Sequence, residues 1–309
     1  MREATPNGIK KPATLQVLNK QKRGLFLKEA EMLLAGWTAT EKSFVKGTVV
    51  FGHEHKFGLK NENPEKGLLF IKPRICILMQ SPILVEDSLD GNKLIGELGN
   101  PQIDALFQSD RAAAAEDPDC KRRYQARTKS LVYILDKDGN VAHKNPIVLS
   151  TKGLVSTEFF SKTSGYGLFI NQVGAAYAER KALPLTNVEF DPQFYSQFIW
   201  EPELGSEPRG QNANEICAVV TQPVPTAETL PQFAVNDSVL SFFDQLLEIP
   251  GMGQFYLTHA QKEAEKLGGR YGLADNYLAA GAESQMLLES ETETITVTVS
   301  DDSGEFLAA

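Results

Sequence analysis

The sequence predicts an α+β protein: a β-rich, barrel-like centre interrupted by helices, a helical C-terminal part and a flexible acidic tail. Three observations carry this. From Phe44 the chain runs through clusters of Val, Ile, Leu and Phe punctuated by Gly, Pro and Asp-Gly (FVKGTVVFGHEHKF, GLLFIKPRICILMQSPILVED, KSLVYILD), the texture of short strands. After Pro231 the spacing becomes helical in VNDSVLSFFDQLLEI. The last 27 residues, from Glu283, hold seven carboxylates and neither Lys nor Arg, a composition that does not build a packed core.

Taken in order, residues 1–24 are polar, with Pro6, Gly8, Pro12 and several lysines, and are expected to form a mobile basic arm. A β-rich core domain with inserted helices follows over 25–235. It opens on a short helix, 25–34, stopped near Gly36. Asp90-Gly91-Asn92 marks a turn before the strand KLIGEL. Residues 101–117 begin with a proline suited to a helix's first turn, read as a helix or an ordered excursion, and are closed by Pro118. Residues 129–135, the Asp138-Gly139 turn and residues 141–149 read as a β-hairpin whose turn needs positive φ. Leu131, Tyr133 and Leu135 alternate with Val132 and Ile134, so both faces of that strand are covered in part. Pro146 moves the second strand toward an edge or a bulge. Helical character returns over 168–181, and FYSQFIW and EICAVVTQPV read as strands separated by a Gly/Pro/Asn loop, 203–214. A helical segment spans 236–282, with Asn236 or Asp237 as N-cap, and the acidic tail is 283–309. Within the tail, ITVTV alternates and is able to add a strand.

Composition excludes several classes. A chain of 309 residues, 42% of them hydrophobic, fills a real core. The first residues, MREATPNGIKKPATLQ, contain no apolar stretch of the signal-peptide kind, and apolar runs such as 75–79 are far too short to span a bilayer. Cys76, Cys120 and Cys217 are odd in number and widely spaced, which fits reduced thiols of a cytoplasmic protein. No membrane partner is expected.

Charge is distributed unevenly on a chain of formal net charge -9. Residues 1–80 carry fourteen Lys/Arg against seven Asp/Glu, and residues 121–152 carry eight against two. Such segments suggest a polyanion-binding surface beside a polyanion-mimicking tail.

Motifs for chemistry are missing. His53 and His55 share a strand face at i, i+2, but no later His/Cys cluster completes a tetrahedral metal site. Neither G-x-x-x-x-G-K-[ST] nor a strand-borne G-x-G-x-x-G occurs. The carboxylate pairs Glu86–Asp87 and Asp117–Asp119 read as loop residues without organising partners. No catalytic residue, cofactor or metal is expected.

The positive signal is a cationic stretch with interleaved aromatics: Lys121, Arg122, Arg123, Tyr124, Arg127 and Lys129, leading into a strand with Tyr133. Phosphates demand charge and bases offer π-faces, so this pairing of residue types suits single-stranded nucleic acid. Lys72 and Arg74 on another β segment extend the track, as do Lys144, Lys137 and Lys152. The same residues equally suit a solvated basic face or ion pairs with nearby acids.

In the tail, Asp301, Asp302 and Glu305 stand just before Phe306. This arrangement resembles the acidic, aromatic-containing C-terminal tails of bacterial and phage single-stranded-DNA-binding proteins. It departs from them because Leu307, Ala308 and Ala309 follow the aromatic. The resemblance covers the tail and the charge layout, and implies a tail that competes for the basic groove and recruits protein partners. The β-rich centre is compatible with an oligonucleotide-binding barrel carrying insertions. The stretch GLFLKEAEMLLAGW and residues 121–153 also resemble uncharacterised cyanobacterial or cyanophage proteins. The expected function is non-enzymatic, sequence-independent binding of single-stranded nucleic acid in replication or recombination, with a homo-oligomer among the expected states. The alternatives left open are a structural or assembly protein, such as a phage particle component, and a nucleic-acid-processing enzyme.

Overall fold

In the computed structural model the described residues are 12–19, 23–40, 47–53, 65–117, 122–184, 192–209 and 214–248. Lys121, the segment 249–282 and the whole tail, with Asp301, Asp302, Glu305 and Phe306, lie outside them.

The centre is a nine-stranded sheet of β1 (Ala13–Leu18), β2 (Gly24–Lys28), β3 (Thr48–His53), β4 (Glu65–Phe70), β5 (Ile75–Gln80), β6 (Leu84–Asp87), β7 (Lys93–Glu97), β8 (Tyr124–Ile134) and β9 (Ile147–Lys152). The order is β3-β4-β2-β1-β9-β8-β6-β7, with β5 also on β8. All pairs are antiparallel except β1 with β9. No closed barrel is found among the described residues, which corrects the barrel-like expectation: β3 and β7 end the path without pairing to each other. A second, two-stranded sheet joins β10 (Glu203–Arg209) to β11 (Asn214–Thr221), so most of the expected 203–214 loop is a strand.

The mobile arm expected over 1–24 instead holds β1. Its six residues alternate, Ala13 and Leu15 into the core, and that burial decides the segment's fate over its basic flanks. The expected helix at 25–34 splits into β2 and α1 (Glu29–Ala35), which ends at Gly36 with φ 66°. Gly67 lies so close to the Leu27 carbonyl that a Cβ would collide with it, which fixes glycine at the β4–β2 crossing.

The hairpin is present in part: Leu135 bridges Val141 across the 136–140 turn, where Gly139 has φ 81°, but residues 142–146 are not strand and the returning strand, β9, begins only at Ile147. Pro146 precedes β9 and removes no ladder bond from it, so β9 is an interior strand between β8 and β1 rather than an edge. β8 is long enough for two partners on its other side: β6 along residues 124–127 and β5 along 130–134. Between these partners, Ser81 Oγ accepts the Lys129 N–H at 3.0 Å and closes the gap.

Among the described residues the further α-helices are α2 (Pro101–Glu116), α3 (Gly153–Phe160), α4 (Gly165–Arg180), α5 (Pro192–Tyr195) and α6 (Asp237–Leu247). The stretch FYSQFIW, expected as a strand, forms α5 and single bridges from Phe198 and Trp200. Asn100 caps α2 by accepting the N–H of Gln102 and Ile103, and Asn236 caps α6 by accepting that of Val239. One sheet face packs Val132, Ile134, Leu149 and Phe70 against Phe159, Phe169 and Val173 of α3 and α4. The other packs Cys76, Leu78, Leu131 and Tyr133 against Val239 and Phe243 of α6. Among the described residues no helix is long and apolar enough to cross a membrane.

Candidate nucleic-acid interface

Side-chain alternation along β8 assigns its first half two different environments. Tyr124 and Ala126 turn toward α2, with Val85, Ile103 and Phe107. Thr128 turns toward α3, where its hydroxyl meets that of Ser156 at 2.7 Å. Arg127 and Lys129 turn the opposite way, onto the face of Leu131 and Tyr133.

On that face the register sets Arg127 directly opposite Lys152 of β9, and Lys129 opposite Ser150. Two like charges directly across a ladder repel. Glu86 of β6, with a side chain only 7% exposed, resolves this by reaching between them: Oε1 lies 2.6 Å from Arg127 Nε and Oε2 3.5 Å from Lys152 Nζ. Arg127 Nη1 also donates to Ser150 Oγ at 2.6 Å, and Lys152 Nζ to Asn92 Oδ1 at 2.7 Å. Among the described residues the Lys129 ammonium has no such partner. Burial pushes it below its ordinary value, Glu86 pulling it up and Arg127 pushing it further down. Burial lowers Arg127 as well, against the pull of Glu86. Arg127 and Lys152 therefore share one buried carboxylate, and Lys129 lies within its field without a contact.

The start of β8 carries a second basic group, on the α2 side of the sheet. Arg123 donates from Nε to Asp87 Oδ2 at 2.8 Å and stacks over the Tyr124 ring at 5.3 Å. That hydrogen bond, aided by the Leu89 and Asp90 N–H groups, holds the Asp87 carboxyl below the usual carboxylate range. Asp110 of α2 accepts the backbone N–H of Arg123 and Tyr124 at 2.9 and 3.1 Å. Arg122 approaches Asp110 at 3.8 Å and lies over Phe107 at 5.1 Å.

The remaining expected contacts are placed elsewhere. Tyr133, expected to stack on bases, is a core residue: it is 0% exposed, its ring stacks on His143 at 4.8 Å, and its hydroxyl donates to the Lys144 carbonyl at 3.0 Å. Arg74 is a latch. Its guanidinium binds Glu201 at 2.5 Å and donates to the carbonyls of Asp136 and Lys137, tying β5 to the hairpin turn. Lys72 pairs with Glu203 at 2.8 Å, which holds that carboxyl below its usual range. Lys144 is exposed, its stem resting on Gly36, beside an open cavity of about 600 Å³ that also touches His143 and Phe242. The structure thus divides the expected cluster: Arg127 and Lys129 share one face with Lys152, Arg122, Arg123 and Tyr124 lie on the α2 side, and Lys72, Arg74, Tyr133 and Lys144 join neither group.

Sequence reasoning misassigned Glu86 and Asp87 to a loop without partners. They are the buried end of β6, and each holds an arginine. The available signal was ILVED itself: two consecutive carboxylates ending an apolar strand must point to opposite faces. Among the described residues no group of three or more His, Cys, Asp and Glu is placed to hold a metal ion, and Cys76 and Cys217 are buried free thiols.

An open, mostly antiparallel sheet flanked by helices, with a cationic half-strand on one face, defines the class as a mixed α+β sheet protein. Within that class the chain belongs to the family described as "Domain of unknown function (DUF5895)", whose model matches residues 12–243, from the residue before β1 into α6. No curated protein and no solved structure matches it.

Proposed function

We propose that this protein binds single-stranded nucleic acid in the cytoplasm without catalysis and without regard to sequence. The surface is the first half of β8 with the adjoining end of β9. The observation that supports the reading is the imbalance of charge there: Arg127, Lys129 and Lys152 surround one carboxylate, Glu86, on a partly buried surface. Phosphate oxygens supply the missing negative charge, and releasing their counterions drives association. Arg122 and Arg123 add charge at the start of the strand, on the α2 side of the sheet, where Arg123 lies over the half-buried Tyr124 ring.

Titrating the full chain with labelled single- and double-stranded oligonucleotides over a range of salt tests this. Three phosphate contacts give log K against log salt a slope of about -2, at roughly -0.7 per contact. Absence of binding at low salt, or a slope near zero, overturns the proposal.

A second reading, self-assembly, draws on the end of the sheet. β3 pairs only with β4 among the described residues and exposes Val49 and Val50 at 38% and 57%, features of an edge that recruits another strand. Sedimentation over a range of protein concentration distinguishes it: a monomer throughout removes this reading.

A further inference from the structure

We propose that Arg127, Lys129, Ser150 and Lys152 form a site for a phosphomonoester dianion, and that on a nucleic acid this site holds the phosphorylated end of a strand. This rests on the binding reading above and deepens it.

The argument begins with charge. Three cations less the buried Glu86 leave two positive charges on the sheet face. An internal phosphodiester brings one negative charge, whereas a terminal phosphate carries about -1.5 to -2 at neutral pH and three acceptor oxygens. A terminal phosphate cancels this excess with one group, where a single internal phosphodiester cancels half of it.

The donors are arranged to suit. Arg127 is held through Nε by Glu86 and through Nη1 by Ser150, which leaves Nη2 for a ligand. Ser150 Oγ accepts from Arg127 and so has its own O–H to donate. Lys152 spends its contacts on Asn92 and Glu86 and retains a third N–H, while Lys129 retains all three. These groups lie on one face because Lys129 pairs with Ser150 and Arg127 with Lys152 across the ladder. Charge-assisted hydrogen bonds to phosphate are the strong kind, and a guanidinium already fixed by a carboxylate loses little freedom on binding. Burial of Lys129 and Arg127, which disfavours their charged forms, is relieved when a dianion arrives.

The test uses the full chain and one oligonucleotide sequence in two forms, with and without a terminal phosphate, together with inorganic phosphate alone. The expected result is about tenfold tighter binding of the phosphorylated strand, the equivalent of one charge-assisted contact. Inorganic phosphate should raise the melting temperature. Lys129→Gln and, separately, Ser150→Ala should abolish both effects while their own melting temperatures stay near wild type. Equal binding of the two strands, weakened equally by Lys129→Gln, overturns end recognition and leaves nucleic-acid binding standing. If neither strand binds and phosphate still stabilises wild type but not Lys129→Gln, the nucleic-acid reading fails and the dianion site stands. No phosphate effect in any arm overturns the site.

Discussion

The two halves of β8 follow one alternation and share β9 as a neighbour, but their fates differ. In the second half Leu131 and Tyr133 face α6 and are sealed, Tyr133 between His143 and Phe243. In the first half Arg127 and Lys129 occupy the same face with a single carboxylate between them and Lys152. A cationic, aromatic stretch read as one track is therefore two structures joined at Ser130. Where apolar area is available, the aromatic ring is spent on stability. Where it is not, the charges remain for a ligand.

Tyr133→Ala should sharpen this contrast most. Removing a fully buried aromatic costs about 3–5 kcal/mol, which lowers the melting temperature of a domain this size by about 10 °C. Nucleic-acid affinity measured below the transition should hold. Lost affinity in the folded variant would return Tyr133 to the interface.

His143 gives the next effect. Its Nε2 accepts the Ile134 N–H at 2.9 Å and its Nδ1–H donates to the Asn145 carbonyl at 2.7 Å. The ring is therefore fixed as the neutral tautomer, with no lone pair left for a proton. Burial pushes its pKa down to about 4. Between that value and the unfolded 6.5, the unfolded chain binds a proton that the native state does not. Stability from this group is complete above pH 6.5 and lost as pH falls toward 4, by about 3 kcal/mol. Following the His143 ring proton by NMR against pH checks it. Titration near 6.5 in the folded protein would break the assignment.

Glu86→Gln leaves the Arg127–Lys152 pair facing each other uncompensated. We expect a loss of about 1.5–3 kcal/mol, larger at low salt, with tighter nucleic-acid binding than wild type. Thermal melting and titration together measure this, and weaker binding would assign Glu86 a different role. Lys129→Gln should be smallest in stability, within about 0.5 kcal/mol, while costing affinity. A large fall in melting temperature would make Lys129 structural.

Much of the fold was legible in the sequence, and the reasons for the misses are local. The turn at Gly139, the helix opening on Pro101 and the cap at Asn236 were written in turn and capping chemistry, which acts within a few residues. β1 was hidden because its basic, proline-bearing flanks read as an arm, while the burial of Ala13 and Leu15 depends on β9 far along the chain. Of the site, Arg127 and Lys129 were visible as cations. That Arg74 is consumed by Glu201, and Arg127 shared with Lys152 through Glu86, depends on pairings between distant strands that spacing does not encode.

That parallel β1–β9 pair has a consequence for biosynthesis. Ala13 meets Ile147 only after most of the sheet has left the ribosome, and closing so long a loop is slow. Until then the side of β1 that β9 covers in the folded protein has no partner, and pairing there with a neighbouring nascent chain is expected. The most N-terminal strand of the described sheet is among the last to be seated, so newly synthesised chains should depend on chaperones far more than the mature protein's stability would suggest.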